Sequence, residues 1–229
     1  MAYVVYSIIL FSVLYYCYIY YYKPNCKGRG FCNENDPYIE PVVHNNFISQ
    51  DEKEYLIDLA EPQFNQSIVL TGSDVKVRES ETAWISTEDP VAQKIIQRVC
   101  DLTNSSCENA EKIQIVKYQP GGFYKEHHDS SCYDRPECVE FEKNGGQRKF
   151  TMLISLSDQF EGGATRFPLL NRDYKLSICD GLLFHCLERD GNKGHPKALH
   201  AGMPVISGQK YIANVWLREH KYNHDGVTK

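Results

Sequence analysis

Residues 118–131 read YQPGGFYKEHHDSS, and this stretch gives the first indication of both the fold and the chemistry. It contains a His-x-Asp triplet formed by His127 and Asp129. Because side chains two positions apart in a β-strand point to the same face, both residues could reach one metal ion. Taken alone the triplet is a weak signal, since a solvated His–Asp pair at the end of a strand has the same pattern.

A second stretch, residues 198–216 (ALHAGMPVISGQKYIANVW), places His200 among apolar residues and Lys210 ten positions later. A single histidine in such a strand is usually a core residue. Together with His127 and Asp129, however, His200 completes the two-histidine, one-carboxylate set that binds Fe(II) and leaves coordination positions open. The three residues are therefore candidate iron ligands.

Several further motifs, in order and spacing, resemble the prolyl 4-hydroxylase family of Fe(II)/2-oxoglutarate dioxygenases over residues 47–219. The matching elements are Y-x8-H-x-D (Tyr118 to Asp129), R-x-x-T-x-L (Arg148 to Leu153), EGGATRFP (161–168), H-A-G-x-P-V-x-x-G-x-K (His200 to Lys210) and Trp216. The coincidence of several independent motifs is far more specific than any one of them.

The resemblance implies a double-stranded β-helix, or jelly roll, in which His127, Asp129 and His200 ligate Fe(II). It implies that 2-oxoglutarate and O2 are co-substrates and that ascorbate is required. The implied reaction is hydroxylation of peptidyl proline at C4, with release of succinate and CO2.

The resemblance also assigns residues to the two organic substrates. Lys210 would pair with the distal carboxylate of 2-oxoglutarate, with Tyr118 and Thr151 as hydrogen-bond partners. A buried carboxylate needs such a countercharge and donors to offset its desolvation. Tyr124 and Trp216 match positions that contact the peptide, although both could equally be packed aromatics. An aromatic groove suits a Pro-rich or collagen-like chain, which is already extended.

Hydrophobic periodicity by itself predicts an α+β domain, with helices packed on one side of a sandwich or barrel of strands. A capping box of Ser49 and Glu52 predicts a helix over about 49–60, and a second helix is expected from about 86, with Pro90 in its first turn. Residues 130–147 are expected to form a long loop over the peptide groove. The predicted strands are 112–118, 149–157, 175–179, 181–186 and 210–217, with a tight turn at Asp180-Gly181.

Residues 1–22 carry no charged side chain and end in a cluster of tyrosines. About 20 apolar residues suffice to cross a bilayer, and aromatic residues favour its interface. This segment is therefore predicted to be a single-pass transmembrane signal-anchor, with a cleaved signal peptide as the alternative. Residues 23–46 are predicted to be a linker, 47–220 the dioxygenase domain and 221–229 a tail.

The orientation of this anchor is predicted from conflicting signals. The basic residues that follow the segment favour a cytosolic domain by the positive-inside rule. Eight cysteines outside the segment favour disulfides in an oxidising compartment, although they allow many connectivities. They fall into close pairs: Cys26/Cys32, Cys100/Cys107, Cys132/Cys138 and Cys179/Cys186. Glycosylation sequons begin at Asn65 and Asn104. We therefore expect an endoplasmic reticulum or secretory-pathway membrane protein with a lumenal catalytic domain.

The net charge and the set of candidate ligands decide between prolyl hydroxylation and other possible functions. With 25 Lys plus Arg against 30 Asp plus Glu, the net charge of -5 gives no reason to propose nucleic acid as a partner. One alternative is a 2-oxoglutarate dioxygenase acting on peptidyl lysine or a small molecule, and another is a non-catalytic jelly-roll binding module. Lysyl hydroxylases resemble this pattern but usually carry Arg where Lys210 stands. A binding module that had lost its activity should also have lost at least one iron ligand, and all three candidate ligands are present here. Prolyl hydroxylation is therefore favoured.

Overall fold

The computed structural model describes residues 37–67, 77–130, 141–189 and 193–224. The helices are α1 (Gln50–Ala60) and α2 (Pro90–Thr103), with a further helical turn at 141–143. The strands are β1 (Val42–His44), β2 (Asn65–Gln66), β3 (Arg78–Glu79), β4 (Glu81–Ile85), β5 (Ile113–Tyr118), β6 (Phe123–His127), β7 (Arg148–Ser155), β8 (Phe160–Gly162), β9 (Thr165–Phe167), β10 (Arg172–Tyr174), β11 (Gly181–His185), β12 (His200–Gly202), β13 (Val205–Gly208) and β14 (Lys210–Arg218).

These strands form two antiparallel sheets and one additional strand pair. The larger sheet has the order β1-β11-β7-β14-β5-β4-β2, the second has the order β10-β9-β12-β6-β3, and β13 pairs with β8. Central neighbours such as β7 and β14 are far apart in sequence. Such long crossovers between antiparallel neighbours are typical of Greek-key and jelly-roll proteins.

One hydrophobic cluster lies between the two sheets. It combines Val116 and Ile212 of the larger sheet with Phe167 of the second sheet. Because side chains from both sheets share this cluster, the sheets pack face to face. The core is therefore mostly β and agrees with the expected jelly roll.

A second hydrophobic cluster joins the helices to the outer face of the larger sheet. Leu56 of α1 and Ile95 of α2 are buried there together with Val215 of β14. Ile212 of the same strand faces the cluster between the sheets. Ile212 and Val215 are three residues apart, and an odd spacing along a strand places two side chains on opposite faces of the sheet. Strand β14 therefore contributes side chains to both hydrophobic clusters.

The helix starts follow from their caps. The Ser49 hydroxyl accepts from the Glu52 backbone N–H at 3.1 Å, and the Glu52 carboxylate accepts from the Ser49 N–H at 2.9 Å. The predicted capping box is thus present. Helix α2 begins at Pro90, slightly later than predicted, because the Asp89 carboxylate caps the N–H groups of Val91 and Ala92.

The predicted strand at 175–179 is wrong. Residues 175–179 form no strand, and β10 and β11 belong to different sheets, so Asp180-Gly181 is not a hairpin turn. The Asp180 carboxylate instead accepts from the N–H groups of Ser177 and Asn46, at 3.2 and 2.9 Å. These bonds hold a turn in which Cys179 has a φ of 67°. An Asp side chain that accepts hydrogen bonds from nearby backbone N–H groups favours a turn over strand pairing in a β-sheet.

One of the predicted cysteine pairs is present as a disulfide and one is wrong. Cys100 and Cys107 are bridged, with their Cα atoms 5.7 Å apart. Cys179 and Cys186 are both free and buried. They flank β11, whose extended length separates them by roughly 15–20 Å, far beyond the reach of a disulfide. The other two predicted pairs lie outside the described residues.

The two ends of the predicted domain extend further than expected. Strand β1 lies inside the stretch predicted to be a linker, and it pairs with β11. Residues 221–224, predicted to be a tail, are part of the domain: the Tyr222 N–H donates to the Glu108 carbonyl at 2.9 Å. No helix within the described ranges is long and apolar enough to span a membrane. The anchor predicted at 1–22 lies outside those ranges.

Candidate active site

The three candidate metal ligands meet where β6 and β12 pair. His127 ends β6, His200 begins β12, and the two residues are direct Cα partners. Asp129 lies two residues beyond the end of β6, and its Oδ1 is 3.6 Å from His127 Nε2 and 3.8 Å from His200 Nε2. One ligand atom from each residue lies within 4.8 Å of the others. This is the geometry of one metal ion held by three side chains.

Backbone carbonyls fix which nitrogen of each histidine faces the site. His127 Nδ1 is 2.8 Å from the Lys125 carbonyl oxygen, and His200 Nδ1 is 3.0 Å from that of Ala198. A carbonyl oxygen only accepts, so each Nδ1 carries the proton and each Nε2 presents a lone pair. Hydrogen bonds of this kind orient the rings of metal-binding histidines.

The second oxygen of Asp129 is held by two donors from the larger sheet. The Thr151 hydroxyl donates to Oδ2 at 2.6 Å, and the Trp216 indole N–H donates to the same oxygen at 3.1 Å. Oδ1 is therefore the oxygen that remains for a metal. The Cys186 thiol lies 3.3 Å from the Thr151 hydroxyl, and burial raises the pKa of this thiol, which stays protonated. These contacts fix the carboxylate in one orientation.

Two residues predicted to bind organic substrates also contact Asp129 in the structure. The Thr151 hydroxyl donates to Asp129, and its predicted hydrogen bond to 2-oxoglutarate stays a prediction. Trp216 is 5% exposed and its indole N–H donates to Asp129, and its predicted contact with the peptide also stays a prediction. Both side chains orient the carboxylate ligand.

Replacing Trp216 with phenylalanine is expected to weaken metal binding roughly tenfold, because the aromatic packing is kept and only the indole N–H is lost. Calorimetric titration with Mn(II) measures the effect. Tyr55→Phe is the matched control, since it removes an aromatic donor to another carboxylate, Asp89, from the exposed surface of helix α1. Unchanged Mn(II) affinity in Trp216→Phe would show that the indole does not support the ligand.

The electrostatics of the site favour a cation. Burial alone would raise the pKa of Asp129, but the neighbouring His200 and His127, together with Arg148, hold it well below its usual range. Burial, followed by the nearby His127, lowers the pKa of His200 to about 4. The site therefore presents an ionised carboxylate and a neutral imidazole at physiological pH, as a metal requires.

Lys210 is a buried cation that has no carboxylate partner within the described ranges. It begins β14, opposite Tyr118 of β5, and it is 5% exposed. Its ammonium donates to the Gly163 carbonyl at 2.6 Å and lies 5.5 Å from the centre of the Tyr118 ring. Burial lowers its pKa to about 8. A buried ammonium with spare donors fits an anionic ligand such as a carboxylate.

Tyr118 lies between the buried lysine and the metal ligands. Its side chain is 4% exposed, and burial raises the pKa of its phenol, which remains a neutral donor. A Cβ placed on Gly202, two residues after His200, would lie 3.7 Å from the Tyr118 hydroxyl. The phenol therefore reaches the β12 side of the site. The donor set as a whole, three metal ligands with a separate buried cation and phenol, fits Fe(II) and 2-oxoglutarate.

Tyr124 forms one wall of the site and is half-buried. Its ring stacks on His127 with the ring centres 3.5 Å apart, and the Arg78 guanidinium lies 4.8 Å from the Tyr124 ring centre. The structure thus places Tyr124 directly beside a candidate iron ligand. Its predicted contact with the peptide stays a prediction.

Sequence reasoning assigned no role in the active site to Arg78, Gly163 or Cys186. Gly163 belongs to the EGGATRFP motif, which was recognised without a function for each residue. Its φ of 62° and a Cβ position 3.2 Å from Lys210 Cδ explain why glycine stands there. Arg78 and Cys186 come close to the site only through strand pairing over long sequence separations, so no local pattern marks them.

Comparisons with known proteins agree with this geometry. The 2OG-Fe(II) oxygenase superfamily matches residues 113–218. A protein of Acanthamoeba polyphaga mimivirus, provisionally named a prolyl 4-hydroxylase, is 42% identical over 85% of this chain and 80% of its own length. Prolyl 4-hydroxylase 1 of Arabidopsis thaliana is 34% identical over 78% of this chain and 68% of its own length.

A solved structure is similar over most of the domain. It is the viral collagen prolyl hydroxylase of Paramecium bursaria Chlorella virus-1 in complex with 2-oxoglutarate. The match has a TM-score of 0.62 and 30% sequence identity, and it covers 78% of this chain and 95% of the other. The fold, the His-Asp-His site and these relatives together show that the chain belongs to the prolyl 4-hydroxylase family of Fe(II)/2-oxoglutarate dioxygenases.

Proposed function

We propose that this protein hydroxylates peptidyl proline at C4, using Fe(II), 2-oxoglutarate and O2 and releasing succinate and CO2. The observation that carries the proposal is the combination of the His127–Asp129–His200 cluster with a buried Lys210 that has no carboxylate partner among the described residues. The three-residue cluster can bind iron, and the buried lysine can pair with the distal carboxylate of a dicarboxylate. A binding module without activity would have no need to keep both.

Each residue has a defined task in this reaction. His127 and His200 would hold the iron through Nε2, and Asp129 would hold it through Oδ1. Thr151 and Trp216 keep the Asp129 carboxylate in its single-oxygen orientation. When bound, Fe(II) and 2-oxoglutarate supply the oxidising power that inserts one oxygen atom of O2 into a C–H bond.

The co-substrate would lie between Lys210 and the metal ligands. Lys210 would neutralise its distal carboxylate, and the Tyr118 hydroxyl would donate to the same group, which offsets the cost of burying an anion. The 2-oxo acid end would then reach the open positions of the iron. A fixed distance between the cation and the iron ligands selects a dicarboxylate of matching length.

The proposed substrate is a Pro-rich or collagen-like polypeptide. Aromatic-lined grooves receive polyproline II chains because such chains are extended before binding and lose little entropy. Tyr124 offers such a surface beside His127. The similar viral enzyme is a collagen prolyl hydroxylase, which supports a collagen-like substrate for this chain.

A comparison of two peptides tests the substrate class. The full chain is incubated with Fe(II), 2-oxoglutarate and ascorbate, with either (Pro-Pro-Gly)n or poly-proline, and 4-hydroxyproline is measured by amino-acid analysis. Hydroxylation of either peptide supports the proposal, and the preferred peptide identifies the class. Succinate release without hydroxyproline from either would remove peptidyl proline as the substrate.

We also propose that ascorbate supports turnover and that residues 1–22 anchor the chain in the endoplasmic reticulum membrane, with the catalytic domain in the lumen. A lumenal location is supported by the Cys100–Cys107 disulfide and by the exposure of Asn65 and Asn104 in their sequons. Expression with microsomes tests the orientation. A mobility shift that endoglycosidase reverses would support it, and unmodified, protease-accessible chains would contradict it.

A further inference from the structure

A buried charge cluster lies at one end of three neighbouring strands of the larger sheet. Glu111, just before β5, is 4% exposed and accepts two hydrogen bonds from Arg148 of β7, at 2.6 and 2.8 Å. Arg218 of β14 is 3% exposed and donates to the same carboxylate at 2.8 Å. One carboxylate therefore orients two guanidinium groups, the buried Arg218 and the partly buried Arg148, in bidentate geometry for Arg148.

The Arg148 side of this cluster reaches the metal site. The Arg148 guanidinium lies 3.5 Å from the centre of the Trp216 ring, and the Trp216 indole donates to Asp129. A rotation of Arg148 would release the face of Trp216 and loosen the hydrogen bond that orients the iron ligand.

The Arg218 side of the cluster reaches the polypeptide that leads into β7. Its guanidinium donates to the Phe141 and Gly146 carbonyls, at 2.9 and 2.6 Å, and lies 3.9 Å from the centre of the Phe141 ring. Because Arg148 follows Gly146 by two residues, Arg218 holds both the entry to β7 and the carboxylate that orients Arg148.

The C-terminal strap, residues 219–223, continues this contact past the end of β14. The His220 N–H donates to the Gly145 carbonyl at 2.9 Å, and the Glu219 N–H donates to the Gln147 carbonyl at 3.0 Å. Asn144 and the Asn223 backbone exchange two hydrogen bonds of 2.7 Å each. The strap is thus bonded along the whole turn that precedes Arg148.

The glycines of this turn show how closely the strap packs. Gly145 and Gly146 have φ values of 85° and 75°, which favour glycine. A Cβ on Gly145 would lie 3.1 Å from the Arg218 side chain, and one on Gly146 would lie 2.8 Å from the Glu219 carboxylate. The turn and the strap therefore leave no room for side chains between them.

We propose that Arg218 is a positioning residue for the active centre: with the C-terminal strap it fixes Glu111 and Arg148, and through them the contact of Trp216 with Asp129. This inference deepens the proposed function and relies on it only for the kinetic readout. Arg218 acts on the iron ligand through other side chains and is assigned no contact with a substrate atom.

The test compares Arg218→Gln and Arg218→Lys in the full chain. Gln removes the charge, whereas Lys keeps the charge but has no planar fork to serve Glu111 and two carbonyls together. Lys221→Ala is the matched control, because Lys221 lies in the same strap with its side chain 71% exposed. Mn(II) affinity is measured by calorimetry, and KM and kcat are measured separately for peptide and for 2-oxoglutarate.

In Arg218→Gln we expect Mn(II) affinity to fall roughly tenfold and peptide kcat/KM to fall by at least as much, with partial recovery in Arg218→Lys. The KM for 2-oxoglutarate should stay within about twofold, because Lys210 lies at the opposite end of β14, roughly 25 Å away. A general loss of structure would instead change every constant. Wild-type Mn(II) affinity and peptide kinetics in Arg218→Gln would overturn the proposal.

A milder variant keeps the test decisive if Arg218→Gln does not fold. Asn144→Ala removes only the two bonds to the strap. It should raise trypsin cleavage after the exposed Lys143 and weaken Mn(II) binding about twofold to threefold. Faster cleavage with unchanged Mn(II) affinity would refute the link to the metal. If wild-type chain hydroxylates no peptide, the proposed function fails, while the Mn(II) titrations still decide this inference.

Discussion

Replacing Lys210 with methionine is expected to abolish productive 2-oxoglutarate binding and at the same time to stabilise the fold. The KM for 2-oxoglutarate should rise roughly a hundredfold or more, because truncating one partner of a buried charge pair leaves the other charge uncompensated. Methionine fills nearly the same volume without a charge. The same substitution therefore has opposite effects on activity and on stability.

The stability gain follows from the pKa of Lys210 in the absence of co-substrate. Burial lowers this pKa from 10.5 to about 8, which corresponds to about 3 kcal/mol against the charged form. The variant also leaves the Gly163 carbonyl without its donor, at a cost of about 1–2 kcal/mol. A net gain of about 1–2 kcal/mol should raise Tm by roughly 2–5 °C at neutral pH.

The pH dependence has a definite sign. Between pH 8 and 10.5 the unfolded chain keeps the Lys210 proton and the folded chain does not, so the wild-type free energy of unfolding rises with pH in this window. The Lys210→Met variant lacks this rise. Below pH 8 both states are protonated and the full penalty remains. Protonated lysine binds a carboxylate, so 2-oxoglutarate affinity in the wild type should fall as pH increases above 8.

Thermal unfolding and 2-oxoglutarate kinetics, each over a pH series, measure both effects. Lys112→Met is the matched control, because Lys112 is exposed just before β5 and should change neither property. A Lys210→Met variant that keeps a wild-type KM would place the distal carboxylate elsewhere. A variant that is less stable than wild type at pH 7 would mean that Lys210 is not a destabilising buried cation.

Replacing Asp129 with asparagine is expected to reduce turnover by roughly a thousandfold or more and metal affinity by at least a hundredfold. The reason lies in the two donors that face Oδ2, the Thr151 hydroxyl and the Trp216 indole. They can bond only the oxygen of the new amide. Its NH2 group must then point at the metal position, where it offers no lone pair.

Anaerobic Fe(II) titration and succinate assays measure this loss, with circular dichroism to confirm that the fold persists. Asp173→Asn is the matched control, since Asp173 is an exposed aspartate of β10 that pairs with Arg166 in the same sheet. Fe(II) binding that survives in Asp129→Asn at wild-type strength would show that the carboxylate is not an iron ligand.

Local pattern and family resemblance together predicted much of the site. The spacing of His127 and Asp129, with His200 downstream, identified a cluster that the structure brings within 4.8 Å. The capping box at Ser49 predicted the start of α1. These features depend on residues close in sequence or on fixed motif spacing, so a single chain contains enough information to find them.

The features that were missed arise from long-range strand pairing. The Trp216 hydrogen bond to Asp129 joins residues 87 positions apart, and the Arg148–Glu111 pair spans 37. The alternation of apolar and polar residues along one strand does not indicate which other strand pairs with it. The same limit explains Cys186, which paired plausibly with Cys179 in sequence but lies against Thr151 in the structure.

The chain ends show a related limit. The linker prediction included Val42–His44 because proline and glycine punctuate the surrounding sequence, yet these residues add an edge strand to β11. The strap after β14 has no periodic pattern, and its contacts are mostly backbone hydrogen bonds to the turn at 144–147. Strand β1 has only two apolar residues, Val42 and Val43, which is too short a pattern to predict a strand, and the strap has no apolar pattern, so only the folded chain reveals them.

The central claim is tested most directly by supplying isotopically labelled O2 to the full chain with Fe(II), 2-oxoglutarate and a Pro-rich peptide. We expect one labelled oxygen atom in succinate and one at C4 of proline in the same peptide, with both lost in His127→Ala. Succinate that gains label while the peptide remains unmodified would contradict prolyl hydroxylation. No labelled succinate, with Fe(II) shown to be bound, would contradict the dioxygenase itself.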